Sequence, residues 1–431
     1  MTQDKALTVL KSGANVFLTG EPGSGKSYTI GKFRDWLDEE DIPYAVTAST
    51  GIAATHIGGV TIHSWSGIGI KEKITDRDVE NIIDNKPFIV KKIDSAKVLI
   101  IDEISMLNAE TLDNINKVLC GVRGTIMTGE PFGGLQVVFV GDFFQLPPVV
   151  KNKEEVKFAF EADSWKQADL TYCYLHEQHR RSDPEFLEIL TAIRQGEVTE
   201  AHKKILMNAF EGDPKTLHTK LFTHNLDVDR INSNELAKIE SKEFVYMMTE
   251  TGNPYLCSVM KKSCLSPDKL YLKKGAVVMF TRNKFDDDGD IIYVNGTLGE
   301  VIDFDDQDYP IVLTVDGREI MSEREEWSIE EYSYTGKVKA ASIKQIPLKL
   351  AWAITVHKSQ GMSLDHARVD LSKAFEYGQG YVAISRVRSM KGLLLDSVNV
   401  KAFEMHPKVV EADVEFRSGS DLANSKYEER I

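Results

Sequence analysis

The stretch Gly20-Glu-Pro-Gly-Ser-Gly-Lys-Ser27 constrains this chain more than any other. It has the form G-x-x-x-x-G-K-[ST], with the apolar run Val16–Thr19 before it and a helical pattern over Ser27–Glu40 after it. Glycines at those spacings let main-chain N–H groups close around phosphate oxygens, and the helix N-terminus adds partial positive charge. Gly20, Gly23, Ser24 and Gly25 are therefore expected to line the phosphates of ATP. Lys26 is expected to reach the β- and γ-phosphates, and the Ser27 hydroxyl to coordinate Mg2+. Strand, loop and helix in this order point to a doubly wound parallel α/β sheet.

Further runs extend that sheet. Tyr44–Ala48, Val98–Ile101 and Val137–Val140 read as strands, the last two apolar throughout as suits burial on both faces. Asp102 and Glu103 directly follow the second of these. A carboxylate at that strand end faces the phosphate loop, so Asp102 is expected to hold Mg2+ and Glu103 to deprotonate the attacking water. Gln145, in Gly141-Asp-Phe-Phe-Gln-Leu-Pro-Pro148, is expected beside the γ-phosphate as a sensor. A nucleotide switch uses such a sensor equally well, so this motif alone does not choose a motor.

The rest of the chain reads as a second lobe with insertions. Residues 65–92 are polar and irregular, apart from a helix-like Asp76–Asp84, and read as an insertion into the first lobe. Phe186–Arg194 reads as an amphipathic helix; Leu221–Thr223 and Ala351–Thr355 read as strands. Between those strands, alternating segments are separated by Asp288-Gly, Asn295-Gly and Asp316-Gly turns, the pattern of a small antiparallel β-barrel. The expected architecture is two doubly wound α/β lobes. The first covers 1–64 and 93–175 and carries the insertion 65–92. The second covers 176–269 and 347–405 and carries a β-barrel at 270–346. A polar tail follows at 406–431, and its end, from Arg417, is expected to be disordered.

Composition sets the class. No run of about 18 apolar residues is present to span a membrane, and the first residues lack a signal-peptide pattern, so a cytoplasmic or organellar-matrix protein is expected. Cys120, Cys173, Cys257 and Cys264 lack zinc-site spacing and read as reduced thiols. The net charge of −14 argues against nucleic acid only until it is located. Residues 284–332 hold 16 acidic and 3 basic side chains, which leaves the remainder near neutral and free to carry a basic groove. That acidic block reads as a solvated face. Lys337, Lys339, Lys344 and Lys349 form a basic stretch beside it.

Two arginines lie far downstream, Arg180 in Leu-His-Glu-Gln-His-Arg-Arg-Ser-Asp-Pro and Arg386 in Tyr-Val-Ala-Ile-Ser-Arg-Val-Arg. A guanidinium brought to the γ-phosphate from a second lobe stabilises transition-state charge and couples hydrolysis to lobe closure. On the residues alone, a phosphate-loop ATPase that remodels protein, or a motor on RNA, remains an open alternative.

The motifs resemble those of the petite-integration-frequency family of DNA helicases, in the RecD-like branch of superfamily 1, over nearly the whole chain. Gln3, ahead of Gly13-x-Asn-Val-Phe-Leu-Thr-Gly20, resembles the family's adenine-reading glutamine. Thr47-Ala-Ser-Thr-Gly-Ile-Ala-Ala54 and Thr61-Ile-His-Ser64 resemble its strand-contacting motifs. Pro131-Phe-Gly-Gly-Leu-Gln136, running into Gly141–Pro148, resembles the stretch that sets the family apart. Thr355-Val-His-Lys-Ser-Gln-Gly361 and Tyr381–Arg386 resemble its late motifs. The family has Arg-Gln where this chain has Arg180-Arg181, and spacing assigns the finger to Arg180. The resemblance implies that both lobes are RecA-like, and it implies ATP- and Mg2+-dependent 5′-to-3′ movement on single-stranded DNA, with unwinding at duplex junctions and often of G-quadruplexes. It implies a wedge within 65–92 and Gly361 at the nucleotide. It also implies contacts to DNA from Thr50, Gly51, Thr61, His63, Thr355, His357 and Lys358. Trp65 is a candidate stacker or wedge residue, although an isolated aromatic is more often core. A monomer is expected.

Overall fold

The apolar runs of the first third pair with one another. In the computed structural model, β1 (Val16–Gly20), β2 (Tyr44–Ala48), β3 (Val60–Thr61), β4 (Val98–Asp102), β5 (Gln136–Val140) and β6 (Thr171–Leu175) form one sheet in the order β3-β2-β4-β5-β1-β6. Every pairing is parallel. Such a sheet must be covered on both faces. On one side α1 (Gln3–Lys11) and α2 (Lys26–Glu39) supply Val9, Leu10, Phe33 and Leu37 to a core with Val16, Leu18, Ile100 and Val138. Each large apolar side chain so buried stabilises the fold by about 1.5–3 kcal/mol. The structure describes all residues except 70, 72, 149–154, 177–182, 212–218, 224–227, 287–290, 334–335, 361 and 429–431.

The chain divides into two compact units. One is Met1–Arg180 with Ile329–Ala340 and Pro407–Ile431; the other is Arg181–Ser328 with Ala341–His406. The second unit has its own parallel sheet, in the order Ala353–Thr355, Lys220–Phe222, Ala367–Leu371, Leu393–Val398. Within the same unit, the region read as a barrel contains a five-stranded antiparallel sheet. Its order is Glu319–Met321, Pro310–Thr314, Leu298–Phe304, Val277–Phe280, Leu348–Leu350. Alternation puts Val278, Phe280, Val301, Val312 and Ile320 on one buried face, with Leu270 and Leu272 of a shorter ribbon against them. Beyond Asp286, the acidic run at 287–290 lies outside the described residues. Lys339 and Lys344 of the basic stretch are exposed on the strand Gly336–Gln345.

Two expectations are corrected, and the role of Trp65 is decided. Residues 65–92 hold more helix than expected: the helix-like segment forms the helix Asp76–Asn85, and a second helix, Pro87–Ser95, follows it and reaches beyond the stretch. Thr75 caps the first in a reciprocal box with Asp78, a device that contributes about 1 kcal/mol. Ile74, Val79, Ile82 and Ile93 are buried, and both helices pack on the helix Ala109–Arg123. Trp65 is a core residue, 4% exposed, which rules out base stacking from this position. The polar tail is the helix Pro407–Glu428, and it belongs to the first unit. Phe416 packs edge-on against Phe17 of β1, and the Tyr174 main-chain N–H donates to the Ser420 hydroxyl. Its buried residues Val409, Phe416, Ala423 and Tyr427 recur at a helical spacing.

Among the described residues, no helix is long and apolar enough to cross a membrane.

Candidate active site

In a doubly wound sheet the strands' carboxyl ends converge on one crevice. The sheet order sets β4, β5 and β1 side by side, so the loops after them are neighbours. The loop after β1 turns through Gly23 (φ +86°) and Gly25 (φ +89°), values a side-chain-bearing residue rarely adopts. The Gln3 amide packs directly against Gly25, where a Cβ would displace it. Gly25 caps α2 without any side-chain bond, which leaves the first-turn N–H groups directed out of the helix end.

Around that loop the expected residues are brought together. Lys26 Nζ donates to the carbonyls of Gly20 (2.6 Å) and Glu21 (3.1 Å). Gln3 Nε2 donates to the Ser24 carbonyl at 3.1 Å, so the glutamine expected at the adenine braces the phosphate loop. Ser27 is exposed on the first turn of α2. Asp102 accepts the Glu103 main-chain N–H at 2.8 Å. Burial pushes the Asp102 carboxyl above the usual carboxylate range; the Glu103 N–H and the Lys26 charge pull the other way. Glu103 stands in a left-handed backbone conformation (φ +51°), a strain of about 1–3 kcal/mol of the kind that collects at working residues. Its carbonyl is held by the Ser49 hydroxyl at 2.7 Å.

The site fits a bound nucleotide and its cation. Ser24 Oγ in the phosphate loop and Gln145 Oε1 after β5 are buried polar atoms without a hydrogen-bond partner. Left so, each costs roughly 1–3 kcal/mol. A phosphate with its water provides a donor and acceptors for both. Ser105 Oγ, two residues past Glu103, is a third such atom, which sequence reasoning missed because serine after a strand carries no distinguishing pattern.

In the second unit Arg386 caps the helix Gln379–Ser385 and is 5% exposed. Its Nε donates to the Val382 carbonyl (3.0 Å), Nη2 to the Ser385 hydroxyl (3.0 Å) and Nη1 to the Met362 carbonyl (3.4 Å). Arg180, Arg181 and Gly361 lie outside the described residues.

The candidate DNA contacts are less uniform. Thr50 and Thr61 both spend their hydroxyls on helix caps, accepting the N–H groups of Ala53 (3.2 Å) and Ser64 (3.3 Å). Gly51 starts the helix Gly51–His56. His63 is half-buried, and burial pushes its imidazole below its ordinary value. Thr355 ends its strand only 1% exposed, so its side chain does not face solvent. His357 Nε2 lies 3.5 Å from a carboxylate oxygen of Glu376. Lys358 follows it in the short helix His357–Ser359.

Comparison with known proteins gives one consistent result. Residues 3–204 match the PIF1-like helicase family. An ATP-dependent DNA helicase Pif1 from Psychrobacter is 42% identical, over 100% of this chain and 72% of its own length. The zebrafish (Danio rerio) ATP-dependent DNA helicase PIF1 is 38% identical, over 95% of this chain and 62% of its own length. A Bacteroides Pif1 crystallised with ADP-AlF4 superposes with a TM-score of 0.82 at 32% identity, covering 96% of each chain. Bacteroides Pif1 bound to single-stranded DNA matches with a TM-score of 0.64 at 33% identity, again over 96% of each chain.

Proposed function

We propose, from the premise that this chain belongs to the PIF1-like helicase family and is an ATP-dependent DNA helicase, that it moves 5′-to-3′ along single-stranded DNA and opens duplex junctions ahead of it. The observation that carries the reading is the phosphate cradle: a glycine loop, a lysine and an acidic pair at adjoining strand ends, with buried hydroxyl and amide oxygens left for a ligand to satisfy.

The residues divide the work as follows. Lys26 exchanges its two carbonyl partners for β- and γ-phosphate oxygens. Ser27 and Asp102 hold Mg2+, and Lys26 favours the ionised form of Asp102 that this needs. Bound Mg2+ supplies Lewis-acid stabilisation of phosphoryl charge. Glu103 orients the attacking water and takes its proton, while Gln145 senses the γ-phosphate. Gln3, Gly20, Gly23, Ser24 and Gly25 shape the nucleotide pocket, with Gly361 a further contact. Arg180 and Arg386 neutralise charge developing on the transferred phosphoryl group.

Thr50, Gly51, Thr61 and His63 contact the DNA backbone, as do Thr355, His357 and Lys358. Because the Thr50 and Thr61 hydroxyls are spent on helix caps and Gly51 starts a helix, the contacts at these three positions come from main-chain N–H groups at helix N-termini. The chain works as a monomer in the cytoplasm.

A strand-displacement assay with 5′-tailed, 3′-tailed and RNA-tailed duplexes, ATP and Mg2+ tests this reading. Displacement is expected from the 5′-DNA-tailed duplex. Displacement only from the 3′-tailed duplex overturns the polarity, and displacement only from the RNA tail overturns the substrate. A native mass above one chain overturns the monomer.

A further inference from the structure

Arg194 is the largest fully buried side chain of the second unit, 2% exposed, and the functional reading gives it no task. It closes the amphipathic helix Pro184–Gln195, whose other buried positions are Phe186, Ile189, Leu190, Ala192 and Ile193. A guanidinium among such residues is costly, and a well-packed apolar residue there is often neutral or stabilising. Its partner explains its place. Arg194 Nη1 donates to the Tyr381 hydroxyl at 2.9 Å, and its guanidinium carbon lies 5.7 Å from the centre of the Tyr381 ring. Tyr381 sits on the helix Gln379–Ser385, which is buried at every position and capped by Arg386.

A second bond ties the same two segments. Asp183 caps the helix Pro184–Gln195, its Oδ1 accepting the Phe186 N–H at 3.1 Å. Its Oδ2 accepts the Met390 N–H at 2.8 Å, just past Arg386. The helix Pro184–Gln195 therefore grips the Arg386 segment on both sides. Arg386 in turn is bonded to Val382 and Ser385 of its own helix, so any rotation of that helix carries the guanidinium with it. The helix also lies close to the main chain beside it: a Cβ on Gly380 would strike the Ala402 carbonyl.

We infer that Arg194 and Tyr381, with Asp183, are positioning residues that fix the guanidinium of Arg386 for ATP hydrolysis; this rests on the reading of Arg386 as a transition-state arginine. Catalytic groups need placement to a fraction of an ångström, and loss of placement appears in kcat rather than in binding.

The test is a cycle on the full chain, with DNA-stimulated ATPase as readout. Tyr381→Phe removes one hydroxyl and keeps the ring. It is expected to lower kcat roughly tenfold while KM for ATP and single-strand affinity stay within twofold. Arg194→Lys should lower kcat similarly. In an Arg386→Ala background, Tyr381→Phe should have no further effect, because residues acting through one group are non-additive.

If Arg386→Ala leaves kcat unchanged, the transition-state reading of Arg386 fails. If Arg386→Ala lowers kcat but Tyr381→Phe does not, the positioning inference fails and the reading of Arg386 stands. The same holds if Tyr381→Phe costs as much without Arg386 as with it. A melting temperature for Tyr381→Phe within a few degrees of the parent is expected; a large fall alongside equal losses in kcat and affinity marks the pair as structural and overturns the inference.

Discussion

The two units each build a parallel sheet, yet they hold their candidate working groups by opposite means. In the first unit the main chain does the holding: glycines at positive φ, a left-handed Glu103 and a start of α2 that no side chain caps. The candidate side chains stand on that frame at different depths: Ser27 is exposed, Lys26 is bonded to loop carbonyls, and Ser24 and Gln145 are buried. In the second unit a buried helix does the holding, and the guanidinium of Arg386 lies inside the protein on carbonyl and hydroxyl oxygens. A site framed by backbone fails when its chemistry is removed. A site framed by packing fails also when a distant neighbour shifts. The following outcomes break or sharpen that contrast.

The largest effect is expected at the first site. Lys26→Ala should abolish ATPase, because the charge on the β- and γ-phosphates is lost. Glu103→Gln should retain ATP binding and lose turnover, since Asp102 keeps its charge while the base is gone. Hydrolysis by Glu103→Gln within a few-fold of the parent would remove Glu103 from the mechanism. Next comes the second site: Arg386→Ala should cut DNA-stimulated kcat by about 10³-fold with the fold preserved. Arg180→Ala should do the same and Arg181→Ala much less; the reverse ranking of these two shifts the finger by one residue.

An intermediate effect is expected between the two helices at 76–95. Their inner faces are core, so deleting them should destabilise the first unit, and surface changes are the informative ones. Ile83 (39% exposed) and Phe88 (45%) offer apolar atoms to a duplex junction. The double variant Ile83→Ala, Phe88→Ala should lower strand displacement several-fold and leave single-strand-stimulated ATPase within twofold. Equal loss of both activities would make the helices structural only.

What was legible in the chain follows the same division. The phosphate loop, β2, β4 and β5 could be read because a glycine spacing and runs of buried β-branched residues are local signals. The helix Pro87–Ser95 carried a signal that charge obscured: proline at its first position, then Phe88, Ile89 and Ile93. So did the C-terminal helix, whose apolar residues recur at helical spacing within an otherwise polar segment. Thr355 reads as a surface group because motifs report residue type and not burial. The Arg194–Tyr381 bond joins positions 187 residues apart, and no periodicity could announce it.

The smallest effect separates charge from hydrogen bonding along the DNA. Each phosphate neutralised on a single strand steepens the salt dependence of log affinity by about 0.7. Lys358→Ala should therefore weaken binding at every sequence and flatten that slope by about this amount. His63 differs, because burial lowers its pKa below the ordinary 6.5 and keeps it neutral at pH 7.5. His63→Asn should then lower affinity less than threefold at pH 7.5 and leave the slope unchanged. Charge enters only under acid conditions. As pH falls below 6.5 the unfolded chain takes up the proton first, so stability declines until the folded imidazole titrates at its lower value. Once it does, the parent gains a positive charge that the Asn variant lacks, and its salt slope steepens relative to the variant. Titrations of the parent and both variants across salt, at pH 7.5 and at successively lower pH, read all of this. A slope change for His63→Asn at pH 7.5 as large as that of Lys358→Ala would show an imidazolium on phosphate there, and would place His63 with the charged contacts of the track.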